Sequence, residues 1–283
     1  MDQPLPIARR HPIATTFGLR DFLPSFAILW QRRELLWSMT GRNIRSQYKQ
    51  SILGYAWIFV NPLMQILVLT FVFSTILRIG EGIIPYPFPL FLFVALLPWM
   101  FFSNAVASAT DSIVGSASLV TKVYFPREIL VVSTVLSKVV DLLLGVLILL
   151  GLMIVYSEYP SWTMVWVPAI FAMQLLFTVG IALPLAALNL FFHDVRYLVG
   201  VVLLIWFYMT PVLYPVEIVP ERYKIFFELN PLALVVNAYR RVLLDGTSLG
   251  IERFLVGMGA AILTFLVGYF LFKRMEAGFA DRI

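Results

Sequence analysis

Three basic residues lie on one side of an expected helix, where they could bind anionic groups. Arg42, Arg45 and Lys49 fall within one narrow arc when the chain turns about 100° per residue. A second arc, roughly a quarter turn away, carries Trp37, Ile44 and Tyr48. A basic stripe beside an aromatic and aliphatic stripe is typical of a helix that lies at a membrane surface. The alternative is an ordinary positive flank that orients the membrane span after it.

Two more charged residues interrupt an apolar stretch further along the chain. Lys138 and Asp141 are spaced i and i+3, so they can pair on one face of a helix. We interpret them as a structural ion pair near the end of a helix. A proton-coupling site is the alternative, because a proton-coupled carrier needs an ionisable residue within a span.

Other kinds of chemistry lack the residues that they need. The chain has no cysteine, which excludes disulfides, thiolate metal sites and cysteine catalysis. Its two histidines, His11 and His193, are far apart in sequence, so neither a metal site nor a histidine-based triad is expected. There is no GxxxxGK(S/T) loop to bind ATP phosphates, and the acidic residues near the apolar stretches occur singly. We therefore expect no catalytic site on this chain.

The elements that position these residues must be membrane helices. Hydrophobic residues make up 60% of the 283 residues, charged residues make up 13%, and the mean hydropathy is +0.88. A typical soluble domain is only about half apolar and a quarter charged, so this composition predicts a multi-spanning membrane protein. The net charge of +5 then says little about nucleic acid, and no nucleic-acid partner is expected. The first 30 residues contain no apolar run of signal-peptide length, so no cleaved secretion signal is expected.

Six stretches have the length and composition of membrane spans, each of which needs about 20 mainly apolar residues. The candidates are Ile52–Leu77, Tyr86–Thr110, Ile129–Tyr156, Tyr159–Phe192, Tyr197–Val216 and Phe254–Phe272. With six crossings, fifteen Lys and Arg residues fall on the amino-terminal side of the membrane and six fall on the other side. This excess of positive charge predicts that both termini are cytoplasmic.

The connection between the fifth and sixth candidates, residues 217–253, does not resemble a plain loop. It contains the apolar run Pro231–Ala238, which is too short to cross a membrane and lies between Glu228 and Arg240. A run of this length between charges can form a re-entrant or interfacial helix pair. A small extracellular cap that lies on the membrane accounts equally well for the pattern.

The connection between the second and third candidates, residues 111–128, changes from small residues to apolar and basic ones. SIVGSAS gives way to LVTKVYFPRE, where Pro126 would end a short helix because the residue before a proline avoids helical geometry. The apolar side of such a helix needs a groove on a partner to cover it. The alternative is packing against the amino-terminal helix of its own chain. The residues assigned to this contact are Leu119, Val120, Lys122, Val123, Tyr124, Phe125, Arg127 and Glu128.

Six short motifs, in order along the chain, resemble one family. They are GRNIRSQYKQSILGYAWIFVNPLMQ (41–65), LLPWMFFSNAV (96–106), LVTKVYFPREIL (119–130), FHDVRYLV (192–199), TPVLYPVEIVPE (210–221) and LNPLALVVNAYR (229–240). Each motif alone is weak, but their shared order over residues 30–283 is specific. The chain resembles the membrane subunits of type-2 ABC exporters of the polysaccharide class, the Wzm, TagG and KpsM kind.

The expected fold is therefore an all-α integral membrane protein with six transmembrane helices. Residues 1–30 are expected to be a cytoplasmic tail, residues 31–51 an amphipathic interface helix, and residues 52–283 the transmembrane domain. The resemblance implies that a cytoplasmic coupling helix lies between spans two and three and docks on an ATPase. It also favours re-entrant helices over a surface cap in the 217–253 segment.

The resemblance also implies partners and a transported molecule. Such subunits form homodimers above two copies of an ABC ATPase subunit, which binds ATP and Mg, so no cofactor or metal is expected on this chain. The substrate would be an undecaprenyl-pyrophosphate-linked polysaccharide, such as O-antigen, teichoic acid or capsule. It would be exported across the bacterial cytoplasmic membrane. The alternatives are a type-2 exporter of a lipid or drug and a membrane enzyme of envelope glycan synthesis.

Aromatic and basic residues are the candidates for the substrate pathway of such an exporter. An aromatic ring can stack on the C–H face of a sugar, which contributes about 1 kcal/mol per contact. The aromatic candidates are Tyr55, Phe59, Trp206 and Tyr208. The basic candidates, which could contact lipid phosphates or the pyrophosphate of the substrate, are Arg42, Arg45 and Lys49. Interfacial belts and helix packing use the same aromatic residue types, and this is the alternative.

Overall fold

The chain is mostly helical in the part that the structure describes. A computed structural model describes residues 30–48, 54–79, 81–117, 119, 125–159 and 161–279, with no β-strand among them. The α-helices are α1 (Arg33–Tyr48), α2 (Trp57–Thr70), α3 (Phe88–Thr110), α4 (Glu128–Val155), α5 (Val167–Phe191), α6 (Val195–Met209), α7 (Glu221–Glu228), α8 (Pro231–Leu243) and α9 (Ile251–Glu276). The prediction of an all-α protein is confirmed.

Five helices in these ranges are long and apolar enough to cross a membrane. With the helical turns that adjoin α2 and α5, they are Trp57–Ile76, Phe88–Thr110, Glu128–Val155, Trp162–Phe191 and Ile251–Glu276. Each of them coincides with one of the predicted spans to within five residues at either end. Five of the six long apolar stretches of the sequence therefore form helices of spanning length.

The remaining predicted span, Tyr197–Val216, corresponds to the shorter helix α6. At 1.5 Å per residue, the 15 residues of α6 rise about 22 Å, which is less than the roughly 30 Å of a hydrocarbon core. The prediction that the helix continues to Val216 is wrong. Helix α6 stops at Met209, and Thr210 has extended backbone (φ −102°, ψ 135°). Thr210 precedes Pro211, whose ring disfavours helical geometry in the residue before it. A sixth crossing stays a prediction.

Helix α3 forms the centre of the bundle. Most of its residues are apolar, and 17 of its 23 residues are buried. It contacts α2, α4, α5, α6 and α8. Helices α2 and α6, in contrast, expose rows of large apolar side chains, which include Leu63, Leu67, Leu198, Val201 and Ile205. Lipid or a second protein chain must cover these rows.

Helices α5 and α9 cross at a pair of glycines. A Cβ atom on Gly180 would lie 2.7 Å from the Cα of Phe265, and a Cβ atom on Gly268 would meet the backbone carbonyl of Gly180. Small residues at such a crossing let two membrane helices approach closely. The crossing helps to position the carboxyl end of α9 near the start of α4, where the two helices form ionic contacts.

The segment between α6 and α9 contains two short helices. The Asn230 side chain caps α8, because its Oδ1 accepts a hydrogen bond from the backbone N–H of Leu232 at 3.0 Å. Nine of the 13 residues of α8 are buried, and α8 packs against α3 and α5, whereas no residue of α7 is buried. The apolar run Pro231–Ala238 thus packs among the longer helices. The re-entrant arrangement itself stays a prediction.

Candidate functional site

A polar cavity, which we call the polar cleft, lies between the first four helices. It has a volume of 410 Å³ and is bounded by α1, α2, α3 and α4. Its polar lining consists of Gln47, Asn61, Asn104, Ser108, Lys138 and Asp141. Polar and charged groups within a membrane bundle usually face the bundle interior or such a cavity, because lipid offers them no hydrogen-bond partner. The cleft is therefore a candidate for binding a polar molecule.

Amide side chains hold α1 against α4 beside the cleft. Asn43 Nδ2 donates to Thr134 Oγ1 at 3.2 Å. Lys138 Nζ donates to Gln47 Oε1 at 2.9 Å, and Gln47 Nε2 donates to Asp141 Oδ2 at 3.1 Å. Lys138 and Asp141 also lie 3.8 Å apart, so the ion pair that their spacing predicts is present. Gln47 thus bridges both charges and fixes α1 at the wall of the cleft.

The basic stripe of α1 is exposed where it can be described. Arg42 and Arg45 are exposed, and Arg45 Nε donates to the carbonyl of Gly41 at 3.2 Å. Among the described residues, neither guanidinium lies within 4.0 Å of a carboxylate. Lys49 lies outside the described residues. Arg42 and Arg45 are therefore free to meet an anionic headgroup.

The aromatic lining of the cleft differs from the residues that the sequence indicated on α2. Trp57 and Phe101 line the cleft. Phe59 is half-buried on α2 and is not part of the lining, and the side chain of Tyr55 lies outside the described residues. Trp57 and Asn61 are spaced i and i+4, so one face of α2 carries an aromatic and a polar group. This spacing is local, so the sequence does contain a signal for the lining at positions 57 and 61.

The aromatic candidates on α6 lie elsewhere in the bundle. The Trp206 indole donates to Asn230 Oδ1 at 2.9 Å, and its ring packs edge-on against Phe102 at 5.3 Å. Tyr208 is 58% exposed. Trp206 therefore helps to pack α6 against α3 and the start of α8. Tyr208 is exposed to the lipid or second protein chain that covers α6. Their place in a substrate pathway stays a prediction.

The segment assigned to a partner contact is described only at its two ends. Leu119 and Phe125 belong to one hydrophobic cluster with Ile129 and Leu130. The same cluster includes Leu35, Leu36 and Met39 of α1. This is the packing against the amino-terminal helix that the sequence left open as an alternative. Val120, Lys122, Val123 and Tyr124 lie outside the described residues, and their contact with an ATPase stays a prediction.

Arg127 and Glu128 connect the start of α4 to the end of α9. Glu128 is 1% exposed; its Oε1 lies 2.8 Å from Lys273 Nζ and accepts from the Tyr269 hydroxyl at 3.2 Å. Lys273 also pairs with Glu276 at 2.8 Å. Arg127 Nη1 donates to the backbone carbonyl of Glu276 at 3.1 Å. We call these five residues the 128–273 cluster.

The 128–273 cluster changes the role that Glu128 can have. The sequence assigns Glu128 to the residues that touch a partner, but in the folded chain Tyr269 and Lys273 enclose its carboxylate. Glu128 can therefore act on a partner only through its neighbours. Tyr269 and Lys273 are 141 and 145 residues away from Glu128, so no local pattern in the sequence links them to it.

Apolar helices of spanning length around a polar cleft indicate a multi-pass membrane protein. Residues 34–244 match the family described as ABC-2 type transporter, and the chain belongs to this family. It is 31% identical to the O-antigen export system permease protein RfbA of Myxococcus xanthus, over 90% of this chain and 97% of that protein. It is 30% identical to the protein of the same name from Klebsiella pneumoniae, over 88% and 94%. It is 20% identical to the polysialic acid transport protein KpsM of Escherichia coli, over 83% and 91%. The resemblance carried by the six motifs is confirmed.

Proposed function

We propose that this chain is the membrane-spanning subunit of an ATP-driven exporter of a lipid-linked polysaccharide in the bacterial cytoplasmic membrane. The observation that carries the proposal is the polar cleft beside the basic helix α1. Relatives that match most of the chain are named as O-antigen export permeases, which supports a glycan as the substrate. An undecaprenyl-pyrophosphate carrier would combine an anionic group for Arg42 and Arg45 with sugars for the cleft.

The lining of the polar cleft suits transient contacts with sugars. Asn61 and Asn104 offer amide donors and acceptors, and Trp57 and Phe101 offer ring faces. The volume of 410 Å³ lies within the range of about 300–1,000 Å³ that small-molecule sites occupy. Weak, repeated contacts of this kind let a polymer advance without being trapped.

The proposed assembly is a homodimer with two ABC ATPase subunits, which bind ATP and Mg beneath the membrane domain. The family supports an ATPase partner. We place its contact at residues 119–128, which the 128–273 cluster connects to α9. The exposed apolar rows of α2 and α6 offer surfaces for lipid or for the second copy.

Two apolar substitutions test the role of the cleft. In the double variant Asn61→Leu/Asn104→Leu, we expect glycan export to fall about tenfold, because two groups that hydrogen-bond to sugars are lost. Export is measured as glycan at the cell surface, and assembly is measured as the amount of ATPase that co-purifies. The matched control is Thr75→Val, which removes an exposed hydroxyl from the turn that extends α2. Thr75 does not line the cleft.

The double variant also separates the proposed function from its alternatives. Lower export with unchanged co-purification of the ATPase supports a glycan pathway through the cleft. If glycan export stays normal and efflux of a lipid or drug is lost, the cleft carries that lipid or drug, and the chain belongs to a type-2 exporter of that kind. A membrane enzyme of envelope glycan synthesis would still convert its substrate when no ATPase is present.

The proposed topology has six crossings and both termini in the cytoplasm. The chain has no cysteine, so single cysteines can report sidedness without background. We expect cysteines at Ser25 and Glu81 to react with an impermeant maleimide from opposite sides of the membrane. Cysteines at His193 and Glu217, which flank α6, should also react from opposite sides. Labelling of His193→Cys and Glu217→Cys from one side would show that α6 does not cross.

A further inference from the structure

A second cavity, which we call the arginine cavity, lies at the other end of the bundle from the 128–273 cluster. It has a volume of 550 Å³. Arg253 near the start of α9 lines it, whereas Lys273 near the end of α9 belongs to the cluster; the helix between them rises about 30 Å. The other polar lining residues are Tyr86, Glu217, Asn237, Arg240, Arg241 and Asp245.

Arg240 places a buried positive charge in the wall of the arginine cavity. The residue is 7% exposed, and its Nη1 and Nη2 atoms donate to the carbonyls of Pro211 and Val212 at 2.6 and 2.8 Å. Its guanidinium carbon lies 3.6 Å from the centre of the Phe91 ring. Within the described ranges, Nε has no hydrogen-bond partner. Backbone carbonyls and a ring thus contact the charge directly, whereas the Glu217 and Asp245 carboxylates attract it from more than 4.0 Å away.

Arg241 and Arg253 bring two more guanidinium groups to the cavity, one half-buried and one exposed. As far as the described residues extend, no carboxylate lies within 4.0 Å of Arg240, Arg241 or Arg253. The lining carries these three cations against the two carboxylates of Glu217 and Asp245, so it has an excess of positive charge. Guanidinium groups without a carboxylate partner, such as those of Arg241 and Arg253, suit bidentate binding of an oxyanion.

One of the two acidic groups in the lining is already engaged. The Tyr86 hydroxyl donates to Asp245 Oδ1 at 3.1 Å. Burial and the Asp245 carboxylate both raise the pKa of Tyr86, so its hydroxyl keeps its proton and remains a donor. Asp245 thus hydrogen-bonds to a neutral donor and lies more than 4.0 Å from the arginines of the cavity, although its charge still attracts Arg240.

From this arrangement, we propose that the arginine cavity binds a phosphate-type oxyanion at the membrane surface. Arg241 and Arg253 are the ligand-binding side chains, and the buried charge of Arg240 adds attraction through the cavity wall, where the dielectric is low. Two sources share this chemistry: the headgroup of an anionic phospholipid and a phosphate group in aqueous solution. This inference rests on the proposed function at one point only. The proposed topology places the arginine cavity on the outer side of the membrane.

The test measures binding to the full chain and does not depend on export. Inorganic diphosphate is titrated into the chain in phosphatidylcholine nanodiscs at low salt and followed by calorimetry. In a second arm, the chain is purified from bilayers that contain phosphatidylglycerol, and the retained lipid is measured by native mass spectrometry. Arg241→Gln/Arg253→Gln is compared with wild type. The control is Arg222→Gln, which removes an exposed arginine that stacks on Tyr223 at 4.6 Å and does not line the cavity.

We expect the double variant to bind the oxyanion at least about tenfold more weakly than wild type, and Arg222→Gln to bind it normally. Loss of diphosphate binding would assign the site to a water-soluble phosphate group. Loss of phosphatidylglycerol retention alone would assign it to a lipid headgroup. The proposal is overturned if wild type binds neither probe, or if the double variant binds both as wild type does. The glycan-export assays on the cleft are unaffected by either outcome, so the two proposals fail separately.

Discussion

Replacing Lys273 by Met should lower the free energy of unfolding by about 3–5 kcal/mol, because the Glu128 carboxylate would stay buried without its cation. The side chains of Glu128 and Lys273 are 2% and 13% exposed, so water cannot easily take the place of the ammonium group. Met keeps the length and apolar character of the side chain while it removes the charge. The measurement is the unfolding free energy of the purified chain in micelles, followed by circular dichroism during titration with SDS.

A second lysine in the same chain provides the matched control. Lys224 pairs with Glu221 at 2.6 Å, but the Glu221 side chain is 87% exposed. Exposed ion pairs contribute about 0–1 kcal/mol, so Lys224→Met should remain close to wild type. The double variant Glu128→Gln/Lys273→Met should regain much of the stability, since the one carboxylate left without its lysine, Glu276, has a side chain that is 21% exposed and can be hydrated. Equal losses in Lys224→Met and Lys273→Met would contradict the argument from burial.

The 128–273 cluster has a mechanical consequence for the proposed exporter. Arg127 and Glu128 are the last two residues of the segment that is proposed to bind the ATPase, and both contact the last turns of α9. A displacement of that segment would therefore reach α9 as well as α4. The predicted contact at residues 119–128 would thus move two long helices together, although only α4 is continuous with the segment.

The long helices could be predicted because their signal is local. The charge-free stretch Tyr86–Thr110, for example, corresponds to α3, and the predicted bounds of the other four spanning helices are also within five residues of the observed ones. The larger error, at the end of α6, arose where apolar character continued past a proline. Pro211 stops the helix through backbone sterics, which a count of apolar residues does not register.

The sites were predictable only where their residues are close in sequence. Lys138 and Asp141 are three residues apart on one helix, and their pairing follows from that spacing. Gln47 joins the same pair from 91 residues away, and its position depends on how α1 packs against α4. Lys273 and Glu128 likewise meet only because α5, α9 and α4 pack together. Such contacts require the tertiary structure, which no pattern within a single helix specifies.

The helix packing that brings Lys273 to Glu128 should itself be sensitive to one methyl group. We expect Gly268→Ala to lower the free energy of unfolding by about 1–3 kcal/mol, because the new methyl would overlap the Gly180 carbonyl. The obstructing atoms belong to the backbone, so no rotamer change can relieve the overlap, and α9 must move away from α5. The same SDS titration measures this loss.

Gly259→Ala in the same helix is the matched control for Gly268→Ala. A Cβ atom there meets nothing within 4 Å, and alanine favours the helix over glycine by about 1 kcal/mol, so this variant should be as stable as wild type or more so. Because a shift of α9 would also pull Lys273 away from Glu128, Gly268→Ala and Lys273→Met should be less than additive when combined. Full additivity would show that the glycine crossing and the 128–273 cluster are independent, and that α9 does not move as one rigid helix.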